Sequence, residues 1–296
     1  MTLYTQAESN IRKTWILVSL FLILIIGLGW VFSQSFQNPN ILIYAVIFSL
    51  VMNLISFWQS DKIVLAMTKA KPVKKEENPE LYRIIENLCI TAGLPLPKIY
   101  ITPEMQSNAF ATGRDKNHAT IAITQGLLEK MDRAEIEGVI SHELSHIGNK
   151  DMLLMTVVVV LVGFISIITD WFFRASWLGL RKRDSREGGQ VGAILALAGI
   201  ILAVISPLIA MLIQLAISRK REFLADATGA LLTRYPEGLA RALEKISNDE
   251  TPMKNVSTAT AHLFISSPFK EKKVSALFMT HPPLAERIKI LREMRV

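Results

Sequence analysis

The chain has 296 residues, half of them hydrophobic, and a mean hydropathy of +0.33, more apolar than a soluble enzyme usually is. Its formal charge is +7, but no basic stripe with interleaved aromatics accompanies the excess, so it is read as the Lys and Arg of cytoplasmic loops rather than as a nucleic-acid signal. Cys89 is the single cysteine, which excludes an intramolecular disulfide and fits a reducing compartment.

Residues 14–32 (TWILVSLFLILIIGLGWVF) carry no charge and are long enough to cross a hydrocarbon core. Arg12 and Lys13 precede them like the positive start of a signal peptide. The run is long, however, it has no clear small-residue cleavage site, and a second apolar segment follows at residues 41–58. The pair is therefore read as an uncleaved hairpin. Lys62, Lys69, Lys71, Lys74 and Lys75 follow its far end, so by the positive-inside rule both ends face the cytoplasm.

A polar stretch comes next. Asn78-Pro79 is an N-cap with Pro at the first helical position, opening a helix over residues 80–91 that Gly93, Pro95 and Pro97 stop. Residues 98–102, 108–112 and 118–124 alternate as short strands with turn signals between them, which predicts a small sheet. Residues 132–151 (DRAEIEGVISHELSHIGNKD) then form a helix, with Asp132 and Glu135 as a capping box and Gly148 near its end.

This helix contains His142, Glu143 and His146, an HExxH pattern. Residues four apart share a helical face, so both imidazoles can reach one metal ion, and Glu143 sits beside its open position as a base. Three fixed positions also arise by chance on ordinary helices, so the motif alone does not decide.

Two more apolar stretches lie at residues 153–173 and 191–217 and are expected to span as a second hairpin. The link between them, residues 174–190, is basic. A spanning hairpin puts it outside, against the positive-inside rule, so a re-entrant or protein-packed pair stays open. Glu222 and Asp226 follow, four apart. A catalytic zinc site typically has three protein ligands, and Glu222 supplies a third; Asp226 can accept the free ring N–H of a ligating histidine. The plainer reading is an exposed acidic face paired with Arg219 and Arg221. Beyond Glu222 the pattern is helical to Ile246, with a break at Tyr235-Pro236.

Taken together, the two N-terminal spans, NAFATG at residues 108–113, HELSHIGNKDM at 142–152, REFLADATGA at 221–230 and HPPLAERI at 281–288 resemble the HtpX-type integral-membrane zinc metalloproteases, relatives of the prenyl-protein (CAAX) endopeptidases. The resemblance covers nearly the whole chain. It implies an α+β fold: a mostly helical, zincin-like protease domain with a small sheet and about four transmembrane helices. The expected organisation is an N-terminal hairpin at 14–58, a first part of the cytoplasmic domain at 59–152, a second hairpin at 153–217 and a second part at 218–296.

The resemblance further implies one Zn2+ per chain, held by His142, His146 and Glu222, with Glu143 as the base. It implies polypeptide substrates, membrane proteins among them, in quality control at the cytoplasmic face of a bacterial inner membrane, with the lipid bilayer as a partner and no nucleic acid. It places His281 near the metal, as an oxyanion stabiliser or gating ligand, and makes Asn108 and Ala109 part of a sheet edge that pairs with substrate. Arg287 reads as an anchor through a carboxylate, Phe110 as core, and His118 and His262 as structural. Competing readings are a non-catalytic membrane scaffold or a regulatory pseudoprotease with a structural metal site. Cleavage within the membrane is a further one, but the motif helix is charged rather than apolar.

Overall fold

The computed structural model describes residues 3–35, 37–181, 219–254, 257, 259–268 and 282–294. Two long helices begin the chain, α1 (Leu3–Ser35) and α2 (Asn40–Trp58), and form the expected hairpin. They come close together at Gly29, where a Cβ would lie 2.2 Å from the Cβ of Ala45. Small residues allow such contact where lipid gives no hydrophobic drive for helices to associate. Within α1, Ser9–Gln34 is long and apolar enough to cross a membrane, as is α2. Trp15, Ile23, Tyr44 and Leu54 project outward from the pair, unburied by the rest of the chain.

The polar part is a small mixed sheet among helices. After α3 (Ser60–Met67) come β1 (Lys71–Pro72), α4 (Pro79–Ala92), β2 (Lys98–Thr102), β3 (Ala109–Gly113), β4 (Ala119–Thr124) and α5 (Gln125–Lys130). The order is β1-β2-β4-β3, with β2 parallel and β3 antiparallel to β4, so β3 lies at an edge. Asn78 caps α4 through Leu81 N–H, and Gly93 ends it at φ 64°, a left-handed conformation that glycine adopts without strain. The expected strands form within a residue of their predicted positions. Strand β1 was not foreseen, since a two-residue strand containing Pro72 has almost no periodic signal.

The motif helix α6 (Arg133–Gly148) leads into α7 (Asp151–Arg181) through an 86° bend. Lys150, at φ 56°, makes the turn. Then come α8 (Arg219–Thr233), α9 (Pro236–Asn248) and α10 (Leu284–Glu293).

Strand side chains alternate between faces, and here both faces are buried. Ile121 and Ile123 join a core with Ile85, Ile140, Leu144 and Leu243 from α4, α6 and α9. Phe110 and Ala122 join a second core with Leu17 and Phe21 of α1 and Val158 and Leu161 of α7. The first half of the third apolar segment is thus interior: Val157, Val158, Val159, Leu161 and Val162 have essentially no exposed surface. Among the described residues two helices qualify alone as membrane spans, and the bent pair α6–α7 qualifies only if counted as one. The fourth apolar segment, residues 191–217, lies outside the described residues.

Helices α6 and α9 pack backbone against backbone. A Cβ on Gly138 would lie 2.6 Å from the Leu239 nitrogen, and one on Gly238 would lie 2.6 Å from the Ala134 carbonyl oxygen. Neither backbone can yield cheaply. Gly138→Ala is therefore expected to destabilise the fold by about 1–3 kcal/mol, the usual cost of overpacking. A melt of the detergent-solubilised protein checks this, and an unchanged midpoint would contradict the packing.

Candidate metal centre

The site is built on α6, whose start is fixed by the capping box read from the sequence. Asp132 accepts from Glu135 N–H at 2.9 Å, and Glu135 accepts from Asp132 N–H at 2.8 Å. Two turns on, His142 and His146 bring their Nε2 atoms 3.1 Å apart, with the rings edge to face. Helix α8 crosses close by because Gly229 has no side chain: a Cβ there would lie 3.0 Å from the His142 nitrogen. That approach carries Glu222 inward, with Oε1 3.6 Å from His146 Nε2 and Oε2 3.9 Å from His142 Nε2. All three side chains are buried, and they offer ligand atoms within 4.8 Å of one another.

Each imidazole is oriented from behind. His142 Nδ1 lies 2.9 Å from Asp226 Oδ1, and His146 Nδ1 lies 3.0 Å from Asp151 Oδ2. With those carboxylates accepting the Nδ1 protons, the neutral rings turn both Nε2 lone pairs toward the same space. Such an arrangement is repulsive unless a cation occupies it. A tetrahedral ion with bonds of about 2.0–2.2 Å separates its donors by roughly 3.3–3.6 Å. The observed separations bracket that range, so the residues fit the metal.

The charges agree. Among the described residues, Glu143, Glu222, Asp226 and Asp151 are buried with Arg287 and Arg221. With neutral imidazoles, four carboxylates against two guanidinium groups leave a deficit that one divalent cation balances. Burial pushes His142 down to about 4, which keeps it in the neutral, ligating form; Asp226 only partly opposes this. Burial also disfavours charge on His146, but Asp151 and Glu222 outweigh it and raise the ring to about 9. That rise reflects the anionic groups around the ring. Burial pushes Glu143 up to about 7, with His146, Arg287 and the Ala111 backbone acting against the rise and Glu222 adding to it.

Arg287, fully buried, grips Asp226 with Nε at 2.8 Å and Nη2 at 2.7 Å. It also reaches Glu222 at 3.3 Å and donates to the Ile265 carbonyl at 3.0 Å. The expected anchoring carboxylate is therefore Asp226, and Arg287 is part of the centre itself. Glu143 lies toward β3, where the nearby Ala111 backbone slightly favours its charged form.

Asn108 and Ala109 stand at the start of that edge, and the chain's own residues meet them. Ile265 N–H donates to the Ala109 carbonyl at 3.0 Å, and Asn108 Nδ2 donates to the Ser266 carbonyl at 2.9 Å. Phe110 is buried against Phe264. Asp115 caps a surface turn and also pairs with the His118 ring, and His262 Nε2 meets the Met155 carbonyl at 3.1 Å; neither histidine joins the His142, His146 and Glu222 cluster. His281 lies outside the described residues.

Sequence reasoning missed Asp151 and Asn10 as members of the site. Asp151 had a usable signal, an acidic residue just after the motif at the start of a new helix. Asn10 had none. Arg221, read as a partner for the acidic pair, also reaches Asn10 at 2.9 Å and Asp151 at 3.8 Å.

With this geometry in hand, the likeness to known proteins is specific. The profile described as Peptidase family M48 matches residues 75–295. The chain belongs to Peptidase family M48. A "Protease HtpX homolog" of Caldanaerobacter subterraneus subsp. tengcongensis is 47% identical, over all of this chain and 99% of the relative. One of Thermococcus sibiricus is 46% identical, with 95% of each chain covered. The crystal structure of S. mikatae Ste24p matches with a TM-score of 0.50 at 23% identity, covering 95% of this chain and 67% of that one, a likeness of fold. M48 membership and these relatives make the chain an HtpX-type metallopeptidase, and its apolar helices mark it as a membrane protein.

In this M48 chain Glu222→Ala removes one of three donors and is expected to abolish metal retention. Asp226→Asn, which keeps the ligands but loosens His142, is expected to weaken binding by about 10–100-fold. Metal analysis of the purified variants with chelator competition reads both, and equal metal content in Glu222→Ala would remove it from the ligand set.

Proposed function

We propose that the chain is a zinc-dependent endopeptidase of a bacterial inner membrane that cleaves misfolded or damaged membrane proteins at the cytoplasmic face. The observation that carries the reading is the meeting of His142, His146 and Glu222 around one space, with Glu143 between that space and the β3 edge. The names of its HtpX relatives support proteolysis. The Lys-rich end of the first hairpin supports the cytoplasmic side.

In this reading residues 59–152 and 218–296 are two parts of one zincin-like domain, interrupted by the hydrophobic segment 153–217, whose start packs within the protein and whose remainder is assigned to the membrane. The core shared by α4, α6, α9 and α10 supports the single domain.

His142, His146 and Glu222 would hold the zinc, which when bound supplies Lewis acidity to water and to the scissile carbonyl. Glu143 takes the proton of the attacking water and returns it to the leaving amine. A carboxyl held near neutrality by burial suits both directions. Asp226 and Asp151 keep the imidazoles aimed inward. An extended substrate lies along β3 through main-chain hydrogen bonds, which read shape more than sequence and so suit varied unfolded targets. To use the edge from Ala109 onward it displaces Ile265. His281 is assigned to the developing oxyanion.

The test compares the wild type with Glu143→Gln, both purified in detergent without chelators, on casein. Glu143→Gln is expected to hold about one zinc, as the wild type does, while hydrolysis falls by at least 10²-fold, the usual contribution of a general base. Equal cleavage by both proteins would refute the assignment of Glu143.

A further inference from the structure

We propose that Asn10, on the first turns of the N-terminal membrane helix, is a positioning residue for the metal centre, acting on His146 through Asp151. The inference rests on the reading that the centre holds zinc. It concerns a residue outside the part of the chain that the family profile covers.

Asp151 has two oxygens with two tasks. Oδ2 meets His146 Nδ1 at 3.0 Å. Oδ1 accepts from Asn10 Nδ2, which also lies 3.4 Å from the Asn149 carbonyl oxygen. The other end of the same amide is used too: Asn10 Oδ1 accepts from Arg221 Nη1 at 2.9 Å. Asn10 is only 2% exposed, so these bonds form away from bulk water. A carboxylate needs a donor and a guanidinium needs an acceptor; a primary amide offers both on one short side chain. The two partners fix which end is nitrogen. A hydroxyl is too short to bridge both, and a carboxylate would set a second negative charge against Asp151.

The arrangement ties together three elements that separately control the centre. Asn10 belongs to α1. Asn149 and Asp151 belong to the bend after the histidine helix. Arg221 adjoins Glu222 on α8. The orientation of His146 and the approach of Glu222 therefore both depend on where the first turns of α1 sit, directly before the apolar run of the span. Thr14 Oγ1 bonds the Asn10 carbonyl at 2.9 Å, one turn further along α1. Anchor and active site form one unit rather than a catalytic domain on a passive tether.

The test uses full-length protein in detergent and a double-mutant cycle. Asn10→Ala is expected to weaken zinc, measured against a competing chelator, by about 10–100-fold, the cost of losing an outer hydrogen-bond partner. The kcat should fall while KM for casein holds, because substrate does not touch Asn10. In an Asp151→Ala background the same substitution should change zinc affinity by less than about twofold, since contacts that act through one another do not add. Asn10→Leu, which keeps the branching and heavy-atom count and loses all three hydrogen bonds, should repeat the result if the smaller side chain fails to fold. Full additivity with Asp151→Ala, or unchanged zinc affinity in a folded Asn10 variant, would overturn the inference. Unfolding of both Asn10 variants would also overturn it, by making Asn10 a fold residue. A wild type that binds no zinc would refute the metal reading itself, which separates that failure from this one.

Discussion

The structure depends on a buried network of opposite charges. Each carboxylate taken from water carries a desolvation cost of several kcal/mol that only close, well-directed partners offset. Here the partners come from all over the chain. Asp226 on α8 is gripped by Arg287 on α10, and Asp151 at the bend is held by Asn10 on α1 and approached by Arg221 on α8. Arg287 does most of this joining. Its one guanidinium meets Asp226, Glu222 and the Ile265 carbonyl, so it ties the last helix to the metal ligands and to the segment lying on β3. Removing one partner of such a pair leaves its mate buried and unpaired, typically a loss of about 3–5 kcal/mol. The same network sets the chemistry. The anionic excess suits a divalent cation, and burial raises the Glu143 carboxyl toward neutrality, which the proposed base role requires.

The sheet is the second constraint. It is small, yet both faces are covered, and it stands between two kinds of surroundings. One face meets α4, α6 and α9, which carry or brace the histidine helix. The other meets α1 and the first half of α7, which continue toward the apolar segments. Thr112 on β3 shares a hydrogen bond with Thr156 on α7, fixing the edge strand against that helix. The strand that would align a substrate is thereby referenced to the membrane-proximal helices as well as to the metal.

Local order was legible in the sequence because its causes are local. Asp132 and Glu135 cap α6, and Asn78 with Pro79 opens α4 as read, since capping depends on residues three apart. The strands at 98–102 and near 108–124 appeared because their short apolar runs end at turn residues. The pairing of the two histidines needs only helical geometry. What sequence did not show is set by tertiary contact. The third apolar segment has the hydropathy of a lipid-facing span, but a helix buried in protein has the same composition, and only packing tells them apart. Asn10 has no periodic or motif signal; its role exists only because the chain returns to it after more than a hundred residues. The seating of Ile265 on Ala109 is likewise a meeting of distant segments with no local trace.

That last contact bears on how the site is entered. An edge strand with unpaired backbone groups invites any extended chain, which suits an enzyme for unfolded polypeptides but also exposes the edge to indiscriminate pairing. In this structure the start of β3 is not free. Ile265 satisfies the Ala109 carbonyl, Asn108 holds Ser266, and the Ala111 backbone lies beside Glu143. The edge is thus occupied with the chain itself. In the proposed binding mode a substrate would gain the strand only by replacing bonds already made, so the net energy of its main-chain pairing would be small. Affinity must then come from elsewhere, from side-chain contacts or from the substrate's own confinement at the membrane. Confinement raises the effective concentration of a membrane-bound target without any new contact. If substrates bind this edge as proposed, a peptidase whose edge is already satisfied by its own chain would be selective less by sequence than by place.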